Sequence, residues 1–251
     1  MAIGLIIIGD EILSGRRQDR HLNNLQQLLA VRGLQISWVR ILADDMTLLV
    51  DTFKQTLASN DIVFCTGGIG ATPDDLTREA VAQALGVSVK VHPKGKALLE
   101  EFARINSFTI TEEHWQLITF PEGSDVFVEP QRKVPGFFVK QHYFMPGFPE
   151  LAKPMMEWVL DNHYAHLCNK NYAENALLLL DVSEGQLNQT MQTLVARYPS
   201  VKLFSLPMHK DGRRMIEMGF KGEQTLIQQA QQDLLNVLSE MGVEWQTINE
   251  H

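Results

Sequence analysis

Two hydrophobic periods alternate along the N-terminal part of the chain. Ile3 to Ile8 is an apolar run broken only by Gly4, the pattern of a strand buried on both faces. Leu22, Leu25, Leu28 and Leu29 then recur at helical spacing, and Gly33 stops that helix. A second strand is predicted over about residues 35–42, a helix carrying Leu48, Leu49, Phe53 and Leu57 follows, and a mostly apolar third strand covers 61–65. The order βαβαβ with short connections predicts a parallel sheet, right-handed crossovers and helices on both faces. Ligands of such sheets bind at the carboxyl ends of the strands.

A helix is predicted over 76–85, and 87–119 reads as mostly helical, with opening residues able to add a short strand. Val126 and Val128 on one side, and Phe137, Val139 and Phe144 on the other, predict short strands around the turn Lys133-Val134-Pro135-Gly136. Pro146-Gly147-Phe148-Pro149 leads into a helix through Met155, Met156 and Val159. The polar run Asn169-Lys170-Asn171 marks a boundary, giving domains at 1–166 and 172–251. Beyond it come a strand over 175–181, a helix capped by Ser183 and carrying Leu187, Met191 and Leu194, strands over 201–206 and 215–220 around Lys210-Asp211-Gly212, a helix over 224–241 and a last strand over 244–247. This βαββαβ order is the ferredoxin-like arrangement of a small α+β domain.

The 251 residues suffice for one large core or two modest ones. No apolar stretch approaches the roughly 18 to 20 residues of a membrane span, so no membrane association is expected. The chain opens directly on a strand without the basic start of a signal peptide, and its two cysteines, Cys65 and Cys168, suggest neither a disulfide framework nor a zinc site. A cytoplasmic protein is expected. A net charge of −8 argues against nucleic-acid binding. Any phosphate must therefore meet backbone amides, local cations or a metal.

The segment Thr66-Gly67-Gly68-Ile69-Gly70-Ala71-Thr72-Pro73-Asp74-Asp75 lies between the third strand and the next helix. Glycines let the backbone turn sharply and aim N–H groups at an anion near a helix N-terminus. Amides of Gly67, Gly68 and Gly70 are candidate phosphate donors, assisted by Thr66 and Thr72. Asp74 and Asp75 would repel that phosphate unless a divalent cation such as magnesium lies between them. The same glycines also serve packing in many α/β turns, and either aspartate could cap the helix. Gly9, Asp10 and Glu11 after the first strand, and Asp44 after the second, reach the same end of the sheet and could complete a metal shell or orient a water. Asp19 reads as a ligand contact or as an acid at a helix start. Pro146 and Gly147 would supply a rigid turn at the site mouth. His163 and His166, spaced i and i+3, read as facing solvent or partners, and Cys65 as core.

The run from Thr66 through Asp75-Leu76-Thr77-Arg78-Glu79-Ala80 resembles the signature of the molybdopterin-binding MoaB/Mog superfamily, and its Asp-Asp-Leu-Thr-Arg-Glu-Ala part resembles the N-terminal domain of the competence/damage-inducible CinA family. Ile8-Gly9-Asp10-Glu11-Ile12-Leu13-Ser14-Gly15, Asp44-Asp45, Pro135-Gly136-Phe137 and Pro146-Gly147-Phe148-Pro149 are similar to further motifs of that family. The resemblance spans residues 1–160, and the βαββαβ part is similar to the CinA middle domain. It implies a three-layer, mostly parallel α/β sheet domain followed by the ferredoxin-like domain. A nucleotide or pterin phosphate is the implied small-molecule ligand, with a homo-oligomer as the implied assembly. The implied activities are metal-dependent pyrophosphate cleavage of ADP-ribose or a similar dinucleotide, silent binding of molybdopterin or a nucleotide, and molybdopterin adenylyl transfer. Asp75, Asp74 and Asp44 are the expected catalytic residues, and Asp75, Asp10 and Glu11 the expected metal contacts. The family's C-terminal amidase domain has no counterpart in these residues, so nicotinamide-nucleotide deamidation is not expected. Departures from the family pattern are Ala71 in place of proline, His21 in place of asparagine, and Arg132-Lys133 in place of a Gly-Thr pair.

Overall fold

The computed structural model describes residues 1–129, 134–169, 171–210 and 212–248, and the chain divides into two compact units, Met1–Cys168 and Asn169–His251. The first runs β1 (Ile3–Ile8), α1 (Asp10–Leu13), α2 (His21–Ala30), β2 (Trp38–Leu42), α3 (Met46–Leu57), β3 (Ile62–Thr66), α4 (Thr77–Leu85), β4 (Val89–Val91), α5 (Pro93–Asn106), α6 (Glu112–Gln116), β5 (Thr119–Pro121), β6 (Asp125–Val128), β7 (Pro135–Val139), β8 (His142–Met145) and α7 (Pro149–His163). Its main sheet has the order β2-β1-β3-β8-β7-β6. The first four strands are parallel, and β7 and β6 join antiparallel.

Side chains of successive strand residues point to opposite faces, and β1 uses both. Ile3, Leu5 and Ile7 enter a core shared with Leu25 and Leu29 of α2 and with Met155 and Val159 of α7. Ile6 and Ile8 enter the other core, against Leu49 and Phe53 of α3 and Val81 of α4. The sheet is thus the middle of three layers. Gly4 breaks the run because its register partner Trp38 lies against it, where a Cβ would come within 2.2 Å of the indole.

The second strand is shorter than expected. Gln35 to Ser37 lie outside it, although Ser37 N–H still bonds Ile3 O at 2.7 Å. The stretch after α4 is an excursion in which α5 and α6 are bracketed by the antiparallel pair β4 and β5. Strand β5 escapes sequence reading because three residues show no period, and its partner lies on the far side of two helices. Lys133 of the expected turn, together with Arg132, falls outside the described residues.

The second unit contains β9 (Tyr172–Leu180), α8 (Glu184–Arg197), β10 (Lys202–Lys210), β11 (Arg213–Glu223), α9 (Gln224–Met241) and β12 (Trp245–Thr247). They form an antiparallel sheet of order β10-β11-β9-β12, the ferredoxin-like order. Leu177, Leu179, Ile216, Met218 and Phe220 on one face pack with Leu187 and Leu194 of α8 and Leu234 and Leu238 of α9. Pro207 is tolerated inside β10 because that strand is an edge. Ser183 opens α8, its N–H meeting Gln186 Oε1 at 3.0 Å. Among the described residues, no helix is long and apolar enough to cross a membrane.

Candidate functional site

Four loops meet at the carboxyl ends of β1, β2, β3 and β8. After β1, Gly9 N–H bonds Leu42 O at 3.1 Å, holding that turn against the end of β2. Asp10 and Asp44 then clasp each other: Asp10 N–H reaches Asp44 Oδ2 at 3.0 Å, and Asp44 N–H reaches Asp10 Oδ1 at 3.3 Å. Burial raises the Asp44 carboxyl above the ordinary range, and the nearby charges of Asp10, Glu11 and Asp74 push it the same way, against the Asp10 amide bond. These four acids therefore form one electrostatic neighbourhood.

The loop after β3 is held by contacts that only glycine permits at two positions. Gly67 has φ 99°, and a Cβ there would meet Ile8 O at 2.1 Å; Gly68 has φ 66°, and a Cβ there would meet Thr77 Oγ1 at 2.2 Å. Thr77 closes the loop onto α4, its hydroxyl donating to Gly67 O and its amide to Gly68 O, both at 3.0 Å. Gly147, after β8, approaches so closely that a Cβ would lie 3.3 Å from Gly67 Cα. His21, at the start of α2, braces this turn through Nε2 to Gly147 O at 3.2 Å, and burial holds its imidazole below the usual histidine value. Asp19 caps α2, accepting from the amides of His21 and Leu22 at 2.9 Å each.

Several expected roles are redistributed by this geometry. The amide of Gly67 belongs to Met145 O at 3.1 Å, and that of Gly70 to Asp75 Oδ1 at 2.8 Å. Among the described loop residues, the N–H groups of Gly68 and Ile69, and further along that of Ala71, meet no protein acceptor. Asp75, expected as the leading metal contact, braces its own loop: Oδ2 also accepts from Thr72 N at 2.8 Å and from Thr72 Oγ1 at 2.5 Å. Thr66 Oγ1 is buried without a partner among the described residues and does not open onto the site. Asp74 is exposed, and its carboxyl is held below the usual range by the Thr72 hydroxyl and its own amide. The Thr72 hydroxyl donates to Asp75 at 2.5 Å and also lies beside the Asp74 carboxyl.

The expected metal set of Asp75, Asp10 and Glu11 is not assembled, because Asp75 faces its own loop while Asp10 faces Asp44. No three or more His, Cys, Asp or Glu side chains among the described residues group as a metal cage. A cation held by the protein alone does not fit this donor set. One sharing a carboxylate with ligand phosphates and water does, as magnesium commonly binds.

Sequence reasoning gave no role to Arg78. It is 5% exposed, with Nη1 donating to Gln116 O at 2.6 Å and Nη2 donating to Gly70 O. It thereby ties the glycine loop to the end of α6. An arginine followed by glutamate in a first helical turn reads as solvated, and only the excursion folded over it buries it. Away from the site, His163 packs against Tyr143, whose hydroxyl lies 2.7 Å from its Nδ1, so it does not simply face solvent. Cys65 is buried, and burial pushes its thiol pKa up.

Comparison with known proteins agrees with this architecture. Residues 4–166 match the family described as "Probable molybdopterin binding domain". A CinA-like protein of Sulfurihydrogenibium is 31% identical over 163 residues, covering 62% of this chain and 41% of that protein. One of Anaeromyxobacter dehalogenans is 30% identical over 200 residues, covering 78% and 49%. The chain thus spans about half the length of these curated relatives or less. The crystal structure of the protein CinA from Thermoplasma acidophilum superposes with a TM-score of 0.56 at 21% identity, covering 64% of this chain and 98% of that one. Through its first unit the chain belongs to the family of probable molybdopterin-binding domains, and over that unit it is similar to CinA-like proteins and shares the fold of the CinA structure.

Proposed function

We propose that the chain is a metal-dependent nucleotide pyrophosphatase, a hydrolase acting on ADP-ribose or a similar dinucleotide, with a divalent cation such as magnesium arriving on the diphosphate. The observation that carries this reading is the pairing of amides without protein acceptors, at Gly68 and Ile69, with the acids Asp10, Glu11, Asp44 and Asp74 at the same strand ends. Amides favour an anion, and the acids disfavour it unless a cation intervenes. A bound cation supplies charge neutralisation of the diphosphate. Asp44, with its raised carboxyl, suits the general base. A water oxygen bonds one phosphorus, its proton passes to Asp44, and the bridging P–O bond breaks to leave two monophosphates.

Incubating the protein with ADP-ribose and magnesium is expected to release AMP and ribose 5-phosphate. Asp44→Asn should slow release by roughly 10²- to 10⁴-fold with little change in binding. A folded protein that cleaves no diphosphate with any divalent metal rules the reading out. The full engagement of Asp75 with its own loop favours one second reading, saturable binding of a molybdopterin or nucleotide phosphate without turnover.

A further inference from the structure

Beside the glycine loop lies a cleft of about 370 Å³, between loop residues Ala71 and Leu76, the start of α4, and Gln116 at the end of α6. Its size falls in the range of small-molecule pockets. Asp75 and Glu79 line it with carboxylates, and Arg78 lines it with a guanidinium. Asp75 already accepts three bonds from its loop, and the two terminal nitrogens of Arg78 donate to backbone carbonyls while its Nε is buried without a partner among the described residues. The polar groups left at the surface are the exposed Glu79 and Gln116 side chains. Two carboxylates against one cation leave the cleft acidic, so it opposes a second phosphate. An acceptor-only carboxylate, an amide and apolar Ala71 and Leu76 suit an uncharged ring bearing O–H or N–H donors.

We propose that this cleft holds the nucleoside end of a phosphate ligand, a donor-bearing ribose or amino-substituted ring, with Glu79 and Gln116 as its acceptors. This inference rests on the phosphate-binding reading of the glycine loop. It selects a nucleotide over inorganic pyrophosphate or polyphosphate.

The test is calorimetric binding of inorganic pyrophosphate and of ADP-ribose, each with calcium in place of magnesium to suppress turnover. In the wild type, ADP-ribose should bind about tenfold or more tighter than pyrophosphate, the scale of one hydrogen bond to a charged acceptor. Glu79→Ala and Gln116→Ala should each erase most of that advantage while leaving pyrophosphate affinity and the melting temperature unchanged. If ADP-ribose binds no tighter than pyrophosphate, or if both variants keep the advantage, the cleft assignment fails while the loop reading stands. If Glu79→Ala instead tightens pyrophosphate, the cleft is a second phosphate pocket and the proposal is wrong. If neither ligand binds the folded protein, the loop reading and this inference fall together.

Discussion

Gly67→Ala is expected to destabilise the first unit by about 3–5 kcal/mol, as strain at a position that excludes L side chains adds to overpacking against backbone. The Cβ would sit 2.1 Å from Ile8 O, a backbone atom inside the sheet, at a φ of 99°. No rotamer change can relieve that contact, so β1 and the loop after β3 must separate. That separation moves Gly9 and Asp10 away from Gly68 and Ile69, so ligand binding should fall with stability. Gly86→Ala is the control. It also has positive φ, 71° at the end of α4, but a Cβ there meets nothing within 4 Å, and about 1 kcal/mol is expected. Urea denaturation of both variants decides the matter, and equal midpoint shifts would remove the claim that strand packing dictates this glycine.

The contrast shows where sequence reading succeeds. Three glycines after an apolar strand identify the loop, because a backbone that packs this closely on its neighbours at Gly67 and Gly68 leaves no room for a Cβ. The continuous apolar run from Ile3 to Ile8 identifies a doubly buried strand, since both parities are apolar. What the carboxylates do is less legible. Asp75 has the same side chain whether it binds a cation or closes Gly70 and Thr72 into a turn, and only the folded path of the loop separates the two. Arg78 is equally silent, because its burial depends on the excursion between β4 and β5, and Thr77 is silent because its bonds to Gly67 and Gly68 depend on the path of the loop. Strand β8 is seated against β3 by a pairing distant in sequence, and its first residue illustrates the consequence.

Replacing that residue, His142→Leu, is expected to stabilise the protein, most of all in mild acid. His142 is 1% exposed, stacks on Phe144, and has neither ring nitrogen hydrogen-bonded among the described residues. Burial, reinforced by the Lys140 charge and only partly opposed by Asp61, lowers its pKa to about 4 from 6.5. The folded imidazole is therefore neutral where the unfolded one takes up a proton. Its contribution to stability is fully present above about pH 6.5 and is lost as pH falls from there towards 4. The whole loss is about 3 kcal/mol, of which about 2 kcal/mol is gone by pH 5. Leucine has similar volume and no nitrogen to desolvate, so it should add about 1 kcal/mol at pH 7, with the gap widening to about 3 kcal/mol at pH 5. His21 is also lowered by burial and keeps its own acid sensitivity in both proteins, so the difference between the two curves isolates His142. Denaturation midpoints of wild type and variant between pH 4.5 and 8 provide the measurement. Parallel curves would mean that the buried imidazole finds a partner for its proton, and that the sheet tolerates a charge at this position.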